Sequence, residues 1–418
     1  MAIKSENAEQ NIILILEGEY TFFEEFTRKN GINWSYEEKK NNILPLSKSY
    51  VGYITTPKRI ITLKPKYSEI GFEHIIRLYL YVYGYRPTDS VAILDVSKTE
   101  TSADVADMFI KNLKRNVQGG IIRTYEHEHI HMTGLKGRVN YTKTYMNSLF
   151  RKRKYVDTVV STLSLRNDYN NMIMTALRKL QHIQKYSSIA SELAMYFDGA
   201  EPNVDNGSLM LEKINFNSNT SRYRRTLTYA AMIIDQLSYS DKGSSVGTDS
   251  FLINFDRLFE DFVAKVLKEI PERKEFSTWD NKRKFADVIG VSGKYDEREY
   301  QPDIIFRYVA EDEKYDYMPS AFAVLDVKNK AYDQFKNADI YQMLTYTKLL
   351  HGQKSLLLYP SFYKRLPEQL SLEASIFEPS TISACFVNIA DETGNDFLDS
   401  IHWFADVVVK TILDISIN

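Results

Sequence analysis

Apolar residues recur at helix and strand spacings along most of the chain, and these spacings predict its elements. Before residue 240 the predicted elements are, in chain order, a hairpin over 51–66 with its turn at Pro57-Lys58, amphipathic helices over 72–85 and 102–117, an alternating strand over 121–132, and a mainly helical stretch over 144–237. A short polar segment rich in Gly and Ser follows at 240–247 and predicts a domain boundary.

The pattern changes after this boundary. The predicted order is a helix at 251–270, strands at 287–291, 303–309 and 321–327, a helix at 338–350, strands at 355–359 and 382–389, and a final helix at 396–413. This order indicates an α/β fold in which helices flank a mixed sheet on both faces. We therefore predict three consecutive domains, namely an α+β N-terminal domain (1–132), a mainly helical middle region (133–247) and the α/β domain (248–418).

Composition agrees with several packed domains. The 418 residues exceed what one hydrophobic core accommodates, and 44% of them are hydrophobic. A formal net charge of −2 does not by itself indicate nucleic-acid binding. Contact with DNA would depend on local basic patches or on a metal ion that bridges carboxylates to phosphate.

Cysteine usage and hydropathy indicate the compartment. The single cysteine, Cys385, excludes an intrachain disulfide and a zinc site built from cysteines, and it fits a reducing cytoplasm. The N-terminus lacks the basic-then-apolar pattern of a signal peptide. No uncharged apolar run approaches the roughly 18 residues of a membrane span, so we expect a cytoplasmic protein without membrane association.

Two aspartates and a lysine near the ends of predicted strands carry the most specific chemical signal. Residues two apart on a strand point to the same face, so Asp326 and Lys328 project together after the apolar run 321–325. Charged groups in such a place are costly without a partner. Asp303 follows Pro302 and opens the preceding strand. If the two strands are neighbours, both carboxylates can reach one hard cation.

A magnesium ion suits this arrangement, because Mg²⁺ prefers a few carboxylates together with water and phosphate oxygens. The ion would neutralise a scissile phosphate and lower the pKa of a bound water molecule. Lys328 would position or deprotonate that water, or stabilise charge on the phosphate. The set is therefore suited to hydrolysis of a phosphodiester, although Asp-x-Lys alone also fits a surface strand with solvated charges.

Three further polar residues are candidates for the same site. Gln342 and Tyr346 share one face of the predicted helix with Asp339 and suit contact with a substrate backbone or with Lys328. Glu260 is polar within the apolar surroundings of the helix at 251–270 and could reach the metal or Lys328. An ordinary exposed glutamate fits the position of Glu260 equally well.

Other signals are weaker. His127, His129 and His131 would share one face of their strand, but no Cys or Asp completes a zinc site, and a plain exposed strand explains the alternation. The basic residues at 151–154, with Arg222, Arg224 and Arg225, are candidates for contact with DNA or a partner. A solvated helix face is the alternative for these residues.

The motifs resemble the PD-(D/E)xK nuclease superfamily, in which Gln-x-x-x-Tyr marks a RecB-like branch, and more narrowly the McrC family. The likeness is firmest in Gln301-Pro302-Asp303-Ile304-Ile305, Leu325-Asp326-Val327-Lys328-Asn329-Lys330 and Asp339-Ile340-Tyr341-Gln342, with 250–260 and 358–360 in order around them. Upstream, residues 52–54, 63–66, 134–140 and 170–177 are similar to earlier parts of McrC. One departure is the long interval between Asp303 and Asp326, where 310–317 is predicted to be an acidic hairpin loop.

The resemblance implies a Mg²⁺-dependent endonuclease subunit. The metal ligands would be Asp303, Asp326 and the backbone carbonyl of Val327, and Lys328, Glu260, Gln342 and Tyr346 would complete the catalytic set. It also implies double-stranded DNA as substrate, pairing of nuclease domains as a homodimer, and a hexameric McrB-like AAA+ GTPase as partner, whose ring McrC enters to stimulate GTP hydrolysis. The chain has no G-x-x-x-x-G-K-[ST] loop, so GTP is expected to bind the partner and not this chain.

Two other functions fit part of the pattern. One is a non-enzymatic adaptor that only activates an AAA+ ring, which the intact acid pair argues against. The other is a stand-alone RecB-like exonuclease, which the long N-terminal half without helicase motifs argues against. Specificity is expected to reside in the partner, since McrC serves systems that target methylated cytosine whereas similar LlaJI-type subunits act on unmodified sites.

Overall fold

The computed structural model describes residues 10–29, 31–56, 58–86, 91, 94–95, 105–151, 156–183, 185–237, 251–272, 274–279, 282–290, 293–310, 319–373 and 381–417. The chain forms two compact units. One joins Met1–Ser102 to Ser250–Asn418, and the other is Ala103–Asp249. This corrects the prediction of three consecutive domains, because the N-terminal part shares its unit with the C-terminal part and the middle of the chain forms a unit of its own.

Small strands and helices around a shared core build the N-terminal part. In chain order they are β1 (Gln10–Leu14), α1 (Tyr20–Lys29), α2 (Tyr36–Lys40), β2 (Ile43–Ser47), β3 (Tyr50–Thr55), β4 (Ile60–Leu63) and α3 (Phe72–Tyr79), with a π-helical turn at Leu80–Gly84. β1 pairs antiparallel with β2, and β3 pairs antiparallel with β4 as the predicted hairpin. Ile13, Phe23, Leu44, Ile54 and Leu63 meet in one core, so the two strand pairs are held together by burial of apolar side chains.

The middle unit combines helices with a three-stranded sheet. Its elements are α4 (Val105–Gln118), β5 (Thr124–Met132), β6 (Arg138–Val139), α5 (Tyr141–Arg151), β7 (Val156–Ser164), α6 (Asp168–Gln181), α7 (Ser187–Ala194), α8 (Gly207–Lys213) and α9 (Arg224–Leu237), with 3₁₀ turns at Met195–Phe197 and Ser221–Tyr223. The stretch from residue 144 is mainly helical as predicted, and β7 is the strand that the prediction missed; its Val- and Thr-rich sequence pairs with β5. Gly137 has φ +79°, and a Cβ there would collide with the Val159 carbonyl, so only glycine admits β6 beside β7.

The C-terminal part carries the large sheet. Its elements are β8 (Phe251–Asn254), α10 (Phe255–Glu269), β9 (Phe276–Thr278), β10 (Arg283–Gly290), β11 (Gly293–Tyr300), β12 (Ile304–Val309), β13 (Ser320–Val327), α11 (Asn337–Leu349), β14 (Lys354–Ser361), β15 (Glu368–Ser371), β16 (Thr381–Asn388) and α12 (Gly394–Ile412). Six strands lie in the order β15-β16-β14-β13-β12-β9. β13, β14 and β16 are parallel and the other pairs are antiparallel, which confirms the predicted mixed sheet.

Helices cover both faces of this sheet. On one face, Met343 of α11 packs in a core with Val324, Leu357 and Phe386. On the other face, Cys385 of β16 lies 3.9 Å from the hydroxyl of Thr411 in α12. Cys385 and Phe386 are adjacent on a strand and therefore point in opposite directions, which places α11 and α12 on opposite sides.

Two predicted elements of this part need correction. The helix predicted from residue 251 begins only at Phe255, because residues 251–254 extend as β8 and pair with β3. Asn254 then caps α10 by accepting a hydrogen bond from the Arg257 amide. The strand predicted at 287–291 is part of the β10–β11 hairpin, which lies outside the six-stranded sheet.

Some predictions fall on residues outside those described. These are the boundary segment 240–247, most of the acidic loop at 310–317, the basic residues 152–154, and the start of the helix predicted from residue 102. Among the helices that the structure describes, none has the length and apolar composition that crossing a membrane requires.

Candidate functional site

The sheet brings the two predicted aspartates together. β12 and β13 are antiparallel neighbours with Ile304 opposite Leu325, so Asp303 and Asp326 occupy the next position of the same register. The Asp303 carboxylate accepts a hydrogen bond from the Val327 amide at 2.7 Å. Because the N–H and C=O of one strand residue face the same neighbour, the Val327 carbonyl is also directed to the side of β12.

Lys328 completes the cluster. Its Nζ lies 2.5 Å from Asp326 Oδ2, and Asp326 is only 2% exposed. The Lys328 amide donates a hydrogen bond to the Leu358 carbonyl of β14, which fixes the backbone directly after the end of β13. The alternation of Asp326, Val327 and Lys328 therefore places the two charged groups on one side, as the spacing predicted.

The helix α11 contributes the Gln-x-x-x-Tyr pair. Gln342 accepts a hydrogen bond from Lys328 Nζ at 2.8 Å, and its amide donates to the Tyr346 hydroxyl at 2.9 Å. A longer contact of 3.4 Å joins the Gln342 amide to Asp326 Oδ1. Gln342 thus gives the lysine a second oxygen partner besides Asp326, and Tyr346 orients the glutamine.

The aspartates are electrostatically strained in the absence of a cation. Burial, together with the nearby Asp326 carboxylate, raises the pKa of Asp303 to about 7. Burial also raises the pKa of Asp326, although the Lys328 ammonium opposes this rise. Burial would lower the pKa of Lys328, but the Asp326 carboxylate outweighs burial and raises it, so the lysine is charged at neutral pH. The pair therefore favours a proton or a cation between its oxygens.

Glu260 lies on α10 at the edge of the same charge cluster. Partial burial and the carboxylates of Asp261, Asp256 and Asp326 raise its pKa, and Lys328 lowers it. Its side chain is otherwise exposed to solvent. The structure thus places Glu260 within electrostatic range of the acid pair, with no direct hydrogen bond between them among the described contacts.

A polar network that the sequence did not reveal ties the end of the motif strand to the N-terminal part. Asn329 directly follows Lys328, and its side-chain amide donates to Asp256 at 2.8 Å while its side-chain oxygen accepts from the Tyr67 hydroxyl at 2.9 Å. Lys66 Nζ contacts both the Asn329 carbonyl and Asp256 Oδ1, the latter at 2.8 Å. Two features of the sequence hinted at this network. Asn329 directly follows the Asp-x-Lys motif, and Lys66 ends the stretch 63–66 that is similar to McrC.

The sequence predicted the position of Asp339 but not its ion pair with Lys330. Asp339, placed by its spacing on the polar stripe of α11, is 4% exposed and contacts Lys330 Nζ at 2.7 Å. The Tyr359 hydroxyl donates to Asp339 at 3.3 Å. Lys330 and Asp339 therefore brace the loop after the motif against α11, and they do so beside the catalytic candidates.

The donor set fits a hard cation. The site offers two carboxylates, those of Asp303 and Asp326, and the backbone carbonyl of Val327. Within the described residues no group of three His, Cys, Asp or Glu side chains is placed to hold a metal ion. Two carboxylates with further positions left for water and phosphate oxygens are what Mg²⁺ takes in nucleotide chemistry. A divalent cation would also offset the burial that raises the pKa of both aspartates and the Asp326 charge that adds to it at Asp303.

The weaker sequence candidates lie elsewhere. His127 and His129 are exposed on β5, and His127 hydrogen-bonds to the Ser161 hydroxyl at 2.8 Å. Arg224 is 4% exposed, and its Cζ lies 4.1 Å from the centroid of the Phe216 ring. A buried arginine of this kind neither faces solvent nor contacts DNA, so both predictions are wrong for this residue. Arg222 donates to the Gly119 and Gly120 carbonyls and so closes the C-terminal end of α4.

Comparison with known proteins agrees with this fold. A family model described as "McrBC 5-methylcytosine restriction system component" matches residues 46–360, and the chain belongs to this McrBC family. A search of curated sequences found no significant match. A chain of the Thermococcus gammatolerans assembly of McrB AAA+ hexamers with bound McrC is 17% identical, with a TM-score of 0.52 over 94% of this chain and 98% of that one.

A chain of another structure, the Thermococcus gammatolerans McrBC complex solved by cryo-EM, is 18% identical with a TM-score of 0.41, and the match covers 62% of this chain and 86% of that one. The resemblance to McrC that the sequence motifs indicated is confirmed by the family match and by the shared fold.

Proposed function

We propose that this chain is the Mg²⁺-dependent DNA endonuclease subunit of a GTP-dependent McrBC-like restriction system. The observation that carries the proposal is the cluster of Asp303, Asp326 and Lys328 at the end of the central strands. A carboxylate pair next to a lysine, on a mixed sheet flanked by helices, is the arrangement of the PD-(D/E)xK nucleases that the motifs resemble. The proposed ligands of the ion are Asp303, Asp326 and the Val327 carbonyl.

When bound, Mg²⁺ would supply charge neutralisation at the scissile phosphate and a water of lowered pKa. Lys328 carries a positive charge that its partners hold in place, so it can stabilise negative charge on the phosphate without rearrangement. Gln342 keeps the lysine from turning away, because it accepts a hydrogen bond from Nζ. Glu260, with its raised pKa, is suited to exchange protons with solvent at the edge of the site.

We further propose that the chain acts with a McrB-like AAA+ hexamer that binds and hydrolyses GTP. The support is the family match and the shared fold with a chain from an assembly that is described as McrB hexamers with bound McrC. The sequence lacks a complete phosphate-binding loop of its own. Double-stranded DNA as substrate and homodimer formation through the nuclease domains belong to the same proposal.

The test is a reconstitution. The chain is mixed with the AAA+ protein encoded beside it, with GTP, Mg²⁺ and methylated or unmethylated plasmid, and wild type is compared with Asp326→Ala. The expected result is that wild type cleaves the plasmid and Asp326→Ala does not, and that this cleavage requires both GTP and the partner. If Asp326→Ala cleaves as well as wild type, the site assignment is wrong. If GTP hydrolysis rises while neither protein cleaves DNA, the chain is an activator of the ring instead.

A further inference from the structure

A basic groove lies in the N-terminal part, outside the acid cluster. It has a volume of about 580 Å³ and lies between β1 and the segment formed by β4 and the residues after it. Among the described strands β1 pairs only with β2, and β4 pairs only with β3, so no further strand covers their other edges, and Arg59 donates a hydrogen bond to the Leu14 carbonyl of β1. The two walls share one apolar core through Ile13 and Leu63, so the groove is held open by packing beneath it.

The described lining of the groove includes cations and no carboxylate. Of the twelve described residues that line it, four carry positive charge and none is a carboxylate; the four are Lys48, Arg59, Lys64 and Lys66. The whole chain has 53 Lys and Arg against 55 Asp and Glu, so this local excess departs from its average. Arg59 is held in place by an ion pair with the fully buried Glu19, whose Oε2 lies 3.1 Å from Arg59 Nη2. Two of the four cations are paired with carboxylates outside the lining, Arg59 with Glu19 and Lys66 with Asp256, and a concave surface with more cations than carboxylates favours anions.

One lining residue connects the groove to the candidate active centre. Lys66 contacts the Asn329 carbonyl and Asp256, and Asn329 is the residue after Lys328. The side chain of Lys66 is only 16% exposed, so this residue links the lining of the groove to the segment after the motif strand through a mostly buried contact. The groove therefore ends at a residue that contacts the backbone directly after the end of β13, where Asp326 and Lys328 lie.

We propose that this groove binds the phosphate backbone of the DNA strand next to the phosphodiester that is cleaved. The inference rests on the proposed nuclease function and names the path of its substrate. Lysines and arginine recognise phosphates without regard to base sequence, which suits a subunit whose specificity lies in a partner. The exposed Ile12 and Leu14 on the β1 wall offer apolar surface to the sugar rings between phosphates.

The test uses the double variant Lys48→Gln/Lys64→Gln in the full chain with its AAA+ partner, GTP and Mg²⁺. Neither lysine belongs to the acid cluster. Removal of two phosphate contacts should raise KM for DNA about tenfold with kcat within about twofold, and should reduce the slope of log KM against log salt by about 2. The matched control is Lys40→Gln/Lys114→Gln, two exposed helix lysines that do not line the groove, and it should leave both quantities unchanged.

Several outcomes would overturn the proposal. An unchanged KM and salt slope would exclude the groove from the DNA path, and an equal change in the control pair would show a general charge effect. Loss of partner binding or of GTPase stimulation with unchanged DNA binding would assign the groove to an acidic segment of the partner. Binding of duplex DNA to the complex is measured in parallel by fluorescence anisotropy. A wild type that binds DNA through the groove without cleaving it would overturn the proposed function and not the groove.

Discussion

Lys328 Nζ lies between two oxygen atoms, Asp326 Oδ2 at 2.5 Å and Gln342 Oε1 at 2.8 Å. The first contact comes from the same strand and the second from α11, so the lysine is fixed by two elements that pack against each other. An ammonium held in this way has lost the side-chain freedom that an exposed lysine retains. Charge placed in advance where negative charge develops is the most effective form of electrostatic stabilisation in enzymes.

The first prediction concerns Lys328 and its partner Gln342. Lys328→Met should lower single-turnover DNA cleavage about 100-fold or more, because the charge next to the scissile phosphate is lost. Gln342→Leu should lower it about tenfold, because the lysine keeps its charge and loses one hydrogen bond. Tyr341→Phe on an exposed part of the same helix is the control and should cleave normally. Equal rates for Gln342→Leu and wild type would show that the glutamine has no part in placing the lysine.

The second prediction concerns pH and the acid pair. The pKa of Asp303 is about 7 in the folded protein, and the usual value for an unfolded chain is about 3.9. The folded state therefore holds a proton that the unfolded state releases, and stability falls as pH rises between these two values. Asp303→Asn removes this loss, so at pH 8 the variant should melt about 2 °C or more above wild type, with the difference disappearing below about pH 4.

Magnesium gives the matched measurement for this variant. Mg²⁺ should raise the Tm of wild type at pH 8 and should have little effect on Asp303→Asn, because one of the two carboxylate ligands is gone. Asp399→Asn, an exposed carboxylate on α12, is the control and should respond to Mg²⁺ as wild type does. A Tm of wild type that does not respond to Mg²⁺ would contradict the assignment of the ion to this pair.

The third prediction concerns the link between Asn329 and the N-terminal part. Asn329→Ala removes the hydrogen bonds of its side chain to Asp256 and Tyr67 and leaves a partly buried carboxylate with fewer donors. We expect a loss of about 1–3 kcal/mol in the free energy of unfolding, measured by urea denaturation. Cleavage should also slow, because the backbone after Lys328 is less firmly held. Asn219→Ala, in an exposed turn of the middle unit, serves as the comparison.

The fourth prediction tests the middle unit. Asp235 of α9 accepts hydrogen bonds from the amide of Gly207, and from both the amide and the hydroxyl of Ser208, so it caps the start of α8 from a neighbouring helix. Asp235→Ala should cost about 1–2 kcal/mol, because a carboxylate at a helix N-terminus satisfies otherwise unpaired amides. Hydrogen exchange should then speed up in α8, and exchange in β12 and β13 should stay as in wild type. Unchanged protection of α8 would show that its amides do not depend on Asp235.

The linear sequence predicted the local parts of the site well. Asp326 and Lys328 are two apart on a strand, and Gln342 and Tyr346 are four apart on a helix, so backbone periodicity alone sets their common faces. The mixed sheet followed from the order of strands and helices. The prediction failed where a β-branched run such as 156–164 lay inside a helical context, and where residues 251–254 carried an apolar pattern that fits a strand as well as a helix.

What the sequence determined by itself is therefore the set of residues with chemistry and the face on which each one lies. Tertiary structure alone decided that Lys66 and Tyr67 meet Asn329 and Asp256. Lys66 is 190 positions from Asp256 and 263 positions from Asn329 along the chain, and it hydrogen-bonds to both. It also decided that residues before 103 join the C-terminal part in one unit. The physical reason is that periodicity constrains neighbours along the chain, whereas contacts at such distances depend on how whole elements bury their apolar surfaces against one another.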